Sequence, residues 1–135
     1  MDWRFEAVVV PVTDIERAKQ FYEQAGFHLD VDHRAGETFR VVQLTPTGSA
    51  SSIILLQNFG TPGGLQGLHL VVRDIDAARA ELVSRAVAVS DVFHFEGGAP
   101  AAGADPGHAD YGSFLSFSDP DGNGWMVQEV PSRPS

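Results

Sequence analysis

Two polar side chains lie in segments that are rich in apolar residues and read as core strands. His69 lies in the sequence LHLVV, and Gln128 lies in WMVQEV. An imidazole titrates near neutrality, so His69 is the best candidate in the chain for a general acid or base. Two readings of the pair remain open. The side chains could be buried and hydrogen-bonded to each other or to the backbone, or they could orient a small molecule in an apolar pocket.

A second group of titratable residues has spacing that is compatible with a metal site. His94 and Glu96 are two residues apart, so they would share one face of a strand. His108 and Asp110 follow in a segment rich in glycine. A metal ion held by these four residues is conceivable. The alternative is that these charges are solvated, as loop charges usually are.

Several kinds of site are excluded by what the chain lacks. It contains no cysteine, which excludes disulfides, thiolate metal sites and cysteine nucleophiles. No G-x-S-x-G elbow is present, and the glycine-rich stretch 97–103 lacks the Lys-Ser/Thr pair of a phosphate-binding loop.

Length and charge set the broad class. The 135 residues are enough for one domain with a core. A net charge of −9 disfavours nucleic acid and anionic membranes as partners. No apolar run approaches the roughly 20 residues of a membrane span, and no basic region precedes the first apolar stretch, as it would in a signal peptide. We therefore expect a cytoplasmic protein.

The chain repeats itself. Residues 8–27 (VVVPVTDIERAKQFYEQAGF) align without a gap with residues 68–87 (LHLVVRDIDAARAELVSRAV), and Asp14 falls on Asp74. Each copy begins with a strand and continues into a helix. Thr13 and Glu16 resemble a capping box for the first helix, Gly26 ends it, and Asp74 is the expected N-cap of the second helix.

After each helix the hydrophobic pattern shifts towards a period of two, which is typical of strands. Turns rich in Pro and Gly separate the last two strands of each half. The predicted strands after the helices are 28–33, 39–44, 52–57, 88–95, 113–118 and 125–130. We therefore predict a single domain, 1–135, with module one at about 1–59, a linker at about 60–66 and module two at about 67–131. The segment 97–112 is either a lid over a site or a surface excursion.

These modules, the V-x-D-h-x-x-A junctions (h is apolar), the helix AKQFYEQAGF and the turn DPDGN together resemble the vicinal oxygen chelate superfamily. That group includes glyoxalase I, extradiol dioxygenases, fosfomycin-resistance enzymes and bleomycin-binding proteins. The resemblance implies an α+β fold, in which two tandem βαβββ modules form a curved mixed sheet around a cavity. It does not fix an activity, since this fold hosts several.

The resemblance also implies where a divalent metal would bind. In the metal-binding members, His, Glu or Gln ligands lie seven residues before each junction Asp and four residues after each turn Gly. The corresponding positions here are Ala7, Ser52, Gly67 and Met126. None is a competent ligand for such an ion, because Ser binds poorly and a thioether suits soft Cu(I). We therefore expect no cofactor, with a divalent metal as the alternative.

Two residues further along the same strands the side chains return to the same face. That step selects two apolar residues, Val9 and Ile54, together with His69 and Gln128 as polar anchors. Ligation of a metal by His69 is a weaker alternative, because matching ligands are missing. The predicted ligand-binding residues are His69, Gln128, Met126, Ile54, Val9, Phe39 and Phe114.

We therefore expect a metal-independent protein that binds a small, partly apolar organic molecule, either sequestering it or acting on it. Whether it is an enzyme stays open. The alternative is a divalent-metal-dependent lyase or dioxygenase of the glyoxalase type, which requires a wrong register in at least two strands. A third possibility is an assembly domain whose cavity is filled by its own Phe and Leu side chains. A homodimer is expected, because relatives form dimers and open strand edges need cover.

Overall fold

The computed structural model describes residues 1–133. Its elements are β1 (Ala7–Pro11), α1 (Ile15–Gln24), β2 (Phe27–Ala35), β3 (Phe39–Pro46), β4 (Ser52–Leu56), β5 (Leu68–Val72), α2 (Ile75–Ser84), β6 (Phe93–Glu96), β7 (Ala99–Ala102), β8 (Ser113–Ser118) and β9 (Gly124–Glu129). The α+β class and the two tandem modules are confirmed. Neither helix in this part of the chain is long and apolar enough to cross a membrane.

The chain divides into two compact units. The first unit comprises Met1–Leu65 with the turn Asp119–Asn123, and the second comprises Gln66–Ser118 with the residues from Gly124 onwards. The boundary after Leu65 falls within the predicted linker.

In the first unit the four strands form one mixed sheet in the order β1-β4-β3-β2. β1 and β4 run parallel, and the other pairs are antiparallel. Side chains alternate between the two faces of the sheet, as they must in a pleated strand. Val10, Leu44 and Leu55 are fully buried in the core together with Ile15 and Tyr22 of α1.

The first helix begins one residue later than the capping-box prediction. Asp14 is the N-cap, and its Oδ1 accepts a hydrogen bond of 3.1 Å from the backbone N–H of Arg17. The assignment of Thr13 as the cap was wrong, because its hydroxyl instead donates to Asp121 at 2.7 Å. The prediction for the second helix is confirmed, since Asp74 accepts from the N–H of Ala77.

In the second unit five strands form a sheet in the order β5-β9-β8-β6-β7. The edge strand β7 was not predicted, because residues 99–102 were assigned to the long segment 97–112. β6 and β7 form a hairpin in which Glu96 pairs with Ala99. Gly97 and Gly98 both have positive φ, of 58° and 82°, as a two-residue hairpin turn requires. The second module therefore has one more strand than βαβββ.

Candidate functional site

One face of the second sheet points away from its core, and we call it the open face. It carries most of the predicted ligand-binding residues. β5 and β9 run parallel, with His69 opposite Met126 and Val71 opposite Gln128. The alternating residues of β9, Trp125 and Val127, are buried on the core side. His69, Met126 and Gln128 therefore share the open face, as predicted from strand phase.

The register along this face differs from the predicted grouping by two residues. Counting from the turn glycines groups His69 with Gln128, whereas the structure places Met126 opposite His69. The reading of His69 as a buried residue is wrong, because its side chain is exposed. Its Nδ1 lies 2.6 Å from the carbonyl oxygen of Gly67, and a carbonyl can only accept. In the neutral imidazole Nδ1 therefore carries the hydrogen, and Nε2 is the acceptor.

Three phenylalanine rings continue the open face beyond Gln128. Phe114 lies opposite Gln128 and also pairs with Phe93 on the next strand. The ring of Phe114 stacks on Phe93 at a centroid distance of 5.7 Å and meets Phe95 edge-on at 5.4 Å. Phe95 is 50% exposed. The aromatic face consists of His69, Phe93, Phe95, Phe114, Met126 and Gln128.

Phe114 belonged to the predicted set, but Phe93 and Phe95 did not. Their signal was present in the sequence, because the alternation Phe-His-Phe-Glu places both rings on one face of a strand.

A concavity of about 570 Å³ reaches this face at the end of β8 and β9. Met126 and Ser116 line it from the open face, and Trp125 and Phe117 contribute from deeper positions. The indole of Trp125 stacks on the ring of Phe117 at 5.9 Å and is 4% exposed. A volume of this order suits a small organic molecule.

The remaining predicted ligand-binding residues lie in the first unit. Val9 pairs with Ile54 on the open face of the first sheet, and both are half-buried. Phe39 lies at the first position of β3, opposite Ala35, and is 51% exposed. The predicted set is thus divided between two sheets.

The positions implied for a metal do not fit one. Ala7 lies opposite Ser52 in the first sheet, and the Ser52 hydroxyl is engaged with Thr45 at 2.6 Å. In the second sheet Gly67 offers no side chain and Met126 offers a thioether, which is a poor ligand for divalent Zn, Mn or Mg. Within residues 1–133 no group of three or more His, Cys, Asp or Glu side chains could hold a metal ion.

The conceivable metal set of His94, Glu96, His108 and Asp110 is wrong. His94 is bound on both sides, with Nε2 at 2.8 Å from Glu96 and Nδ1 at 2.7 Å from the carbonyl of Gly103. The carboxylate of Glu96 has the largest effect and raises the pKa of His94, and the carbonyl of Gly103 raises it further. His108 and Asp110 have other partners, and each partner lies in or after β9.

The segment 103–112, which follows β7, is hydrogen-bonded to the end of β9. The N–H of Tyr111 donates to the carbonyl of Glu129 at 2.8 Å, and His108 Nδ1 lies 2.9 Å from the carboxylate of the same residue. The Glu129 side chain is buried against α2, where its other oxygen accepts from the N–H of Ile75 at 2.9 Å. These contacts lie on the helix side of the sheet, so they do not fit a lid over the aromatic face.

Comparisons with known proteins agree with this architecture. The sequence model of the Glyoxalase/Bleomycin resistance protein/Dioxygenase superfamily matches residues 4–127. The uncharacterized protein YetH of Bacillus subtilis (strain 168) is 26% identical over 126 residues, which cover 90% of this chain and 94% of YetH.

Two solved structures from Streptomyces sp. CB03234 are similar over nearly the whole chain. TnmS3, an antibiotic binding protein, is 35% identical with a TM-score of 0.74, and the match covers 96% of this chain and 97% of TnmS3. A glyoxalase/bleomycin resistance protein is 36% identical with a TM-score of 0.70, covering 93% of this chain and 100% of that protein.

Proposed function

Because the chain belongs to the Glyoxalase/Bleomycin resistance protein/Dioxygenase superfamily, we propose that it binds a small, partly apolar organic molecule without a metal ion. The site is the aromatic face of the second sheet. The similarity to an antibiotic binding protein at 35% identity supports this class of ligand. Sequestration of the molecule requires no further chemistry from the protein.

The observation that carries the proposal is the cluster of Phe93, Phe95 and Phe114 on a face that α2 does not cover. Apolar area left in water costs about 25 cal/mol per Å² relative to burial. Aromatic rings prefer offset-stacked or edge-to-face partners. A ligand with a flat apolar part would cover the three rings and recover that free energy.

Two polar side chains give such a ligand its orientation. The amide of Gln128 lies beside Phe114 and can both donate and accept a hydrogen bond. His69, with its Nδ1–H held by the Gly67 carbonyl, offers Nε2 as an acceptor for a hydroxyl or N–H of the ligand. If the protein acts on its ligand, Nε2 of His69 is the atom that would take up a proton.

The experiment is calorimetric titration of EDTA-treated protein with the neutral bicyclic probe 2-naphthol, and separately with Ni²⁺, Zn²⁺, Mn²⁺ and Fe²⁺. We expect 2-naphthol to bind without metal, and His69→Ala or Gln128→Leu to weaken it by about tenfold, the loss of one hydrogen bond in a desolvated site. Unchanged affinity in both variants would refute the anchoring roles. Stoichiometric tight binding of a divalent ion would instead favour the glyoxalase-type lyase or dioxygenase.

We also propose that two copies associate. Each sheet leaves edge strands open, and Trp3 and Phe5 are exposed, so a second copy would cover both kinds of surface. Light scattering during gel filtration would give twice the chain mass of 14.5 kDa for a dimer. The mass of one chain at all concentrations would contradict it.

A further inference from the structure

The open face of the first sheet holds a polar recess that the proposed function does not use. It has a volume of about 770 Å³. Its polar side chains come from β2, β3 and β4 and from the residue before β1. The polar recess is lined by Glu6, His28, Asp30, Gln43, Thr45 and Ser52 together with the turn residues 46–50. Among these lining residues, all within the described part of the chain, there is no lysine or arginine.

The direction of the hydrogen bonds in the recess follows from counting hydrogens. The Thr45 hydroxyl has one hydrogen, and it donates to the carboxylate of Asp30, which can only accept when ionised. Thr45 Oγ1 is also 2.6 Å from Ser52 Oγ, so Ser52 must be the donor of that second bond. The single hydrogen of Ser52 is therefore committed, and its lone pairs remain as acceptors. Ser52 is 7% exposed, so burial holds its hydroxyl in this row of hydrogen bonds.

A second pair of side chains on the same face, Gln43 and Glu6, also leaves oxygen acceptors open. Gln43 Nε2 donates to Glu6 Oε2 at 3.2 Å, which leaves the carbonyl oxygen of Gln43 and the other carboxylate oxygen of Glu6 as acceptors. His28 lies at the rim, 77% exposed, with Nε2 at 3.7 Å from Asp30 Oδ1. The recess thus presents mainly oxygen acceptors, two of them carboxylates, and its lining includes one exposed histidine.

We propose that the polar recess binds the ammonium group of an organic amine. An ammonium ion carries three donors and no acceptor, which complements Asp30, Ser52 and Gln43. Charge-assisted hydrogen bonds to a carboxylate are about twice as strong as neutral ones. The net charge of −9 attracts cations to the protein at long range. The oxygen acceptors do not form a metal site, since the described residues contain no group of three or more metal-binding side chains.

The test compares cyclohexylamine with cyclohexanol, which match in shape and differ in the ammonium group. At about pH 7.5 the amine is protonated, as a lysine side chain is. Both are titrated into ¹⁵N-labelled protein, and the amide signals of Thr45 and Ser52 report binding. We expect saturable shifts with the amine and none with the alcohol. Asp30→Asn should weaken amine binding by about tenfold, the loss of one charged hydrogen bond.

Glu37→Gln is the matched control, because it removes the same charge from an exposed residue of the same unit outside the recess. It should leave the affinity within about twofold, since exposed charges are screened. If Asp30→Asn does not fold, Ser52→Ala replaces it as the recess variant. Ser52→Ala should also weaken amine binding.

Three results would overturn the proposal: equal shifts with the alcohol, equal loss in Glu37→Gln, or binding of Ca²⁺ at these amides in preference to the amine. Shifts of the Phe114 amide with 2-naphthol report the proposed function separately, so one can fail without the other.

Discussion

Nδ1 of His108 lies 2.9 Å from Oε1 of Glu129, a carboxylate that is 2% exposed. The other oxygen of Glu129 accepts the N–H of Ile75 at the beginning of α2. In the first module Gln57 has the corresponding role, accepting the N–H of Ile15 at 3.4 Å. Position 129 differs from position 57 in carrying a carboxylate, and the second oxygen of that carboxylate binds His108.

This pair makes stability depend on pH. The carboxylate of Glu129 raises the pKa of His108. The contribution of His108 is therefore fully present below the ordinary histidine pKa of about 6.5 and is lost as pH rises through the raised value. We predict that His108→Gln lowers the free energy of unfolding most at about pH 5.5 to 6, and progressively less above that range.

Urea denaturation of both proteins at several pH values measures this effect. His94, whose pKa is also raised, is present in both proteins and cancels in the difference. A difference in free energy of unfolding that stays constant with pH would show that His108 acts without its charge.

The stability of the protein should depend more on a hydrogen-bond acceptor at position 129 than on the charge there. In Glu129→Gln the side-chain carbonyl can still accept the N–H of Ile75, as Gln57 does for Ile15. In Glu129→Leu that buried N–H has no acceptor, which costs about 1–3 kcal/mol. We predict that the Leu variant is less stable than the Gln variant by about this amount, measured by urea denaturation. A Leu variant as stable as the Gln variant would contradict the capping role.

Phe114 should matter more to ligand binding than to folding. Its ring contacts both Phe93 and Phe95, so Phe114→Ala removes the centre of the aromatic face. We predict that 2-naphthol binding weakens by about tenfold or more, measured by calorimetry. Phe59→Ala is the control, because it also truncates a phenylalanine, but one that is exposed and lies in the first unit, outside the aromatic face. An equal loss in both variants would refute the aromatic face as the site.

Tyr22 makes a buried bond that can be tested by removing one oxygen. Its hydroxyl donates to Asp119 Oδ2 at 2.8 Å, and the same oxygen accepts from Asn123 at 2.9 Å. We predict that Tyr22→Phe lowers the free energy of unfolding by about 1–2 kcal/mol, since Asp119 keeps its other partners. Tyr111→Phe, at a 54% exposed position, should change it by less than about 0.5 kcal/mol. Similar values for both would contradict the structural role of the Tyr22 hydroxyl.

Much of the fold could be predicted from the repeat, because Asp14 and Asp74 mark the start of the same helix in two copies. β7 was missed because Ala99–Ala102 reads APAA, which lacks the β-branched and aromatic residues of typical strands. Its Pro100 is tolerated because β7 is an edge strand. The Gly97-Gly98 turn was the available signal for the hairpin.

The candidate site was predictable by face but not by register. Strand phase placed His69, Met126 and Gln128 on one side of the sheet, since alternate residues share a face. Counting from the turn glycines failed in the second module, because its last turn is shorter. Ser118 pairs with Gly124 there, whereas Leu44 pairs with Ile53 in the first module.

The partners of His108 could not be predicted. They depend on the path of the segment 103–112, which is separated from β9 by β8 and the turn after it, and no local pattern specifies such a contact.

The most direct test of metal-independent binding is a titration of EDTA-treated, ¹⁵N-labelled protein with 2-naphthol, followed by amide chemical shifts. We predict saturable shifts at Phe93, Phe114 and Gln128 in the absence of metal. Absence of shifts at these residues, or shifts that appear only after a stoichiometric divalent ion is added, would contradict the proposed function.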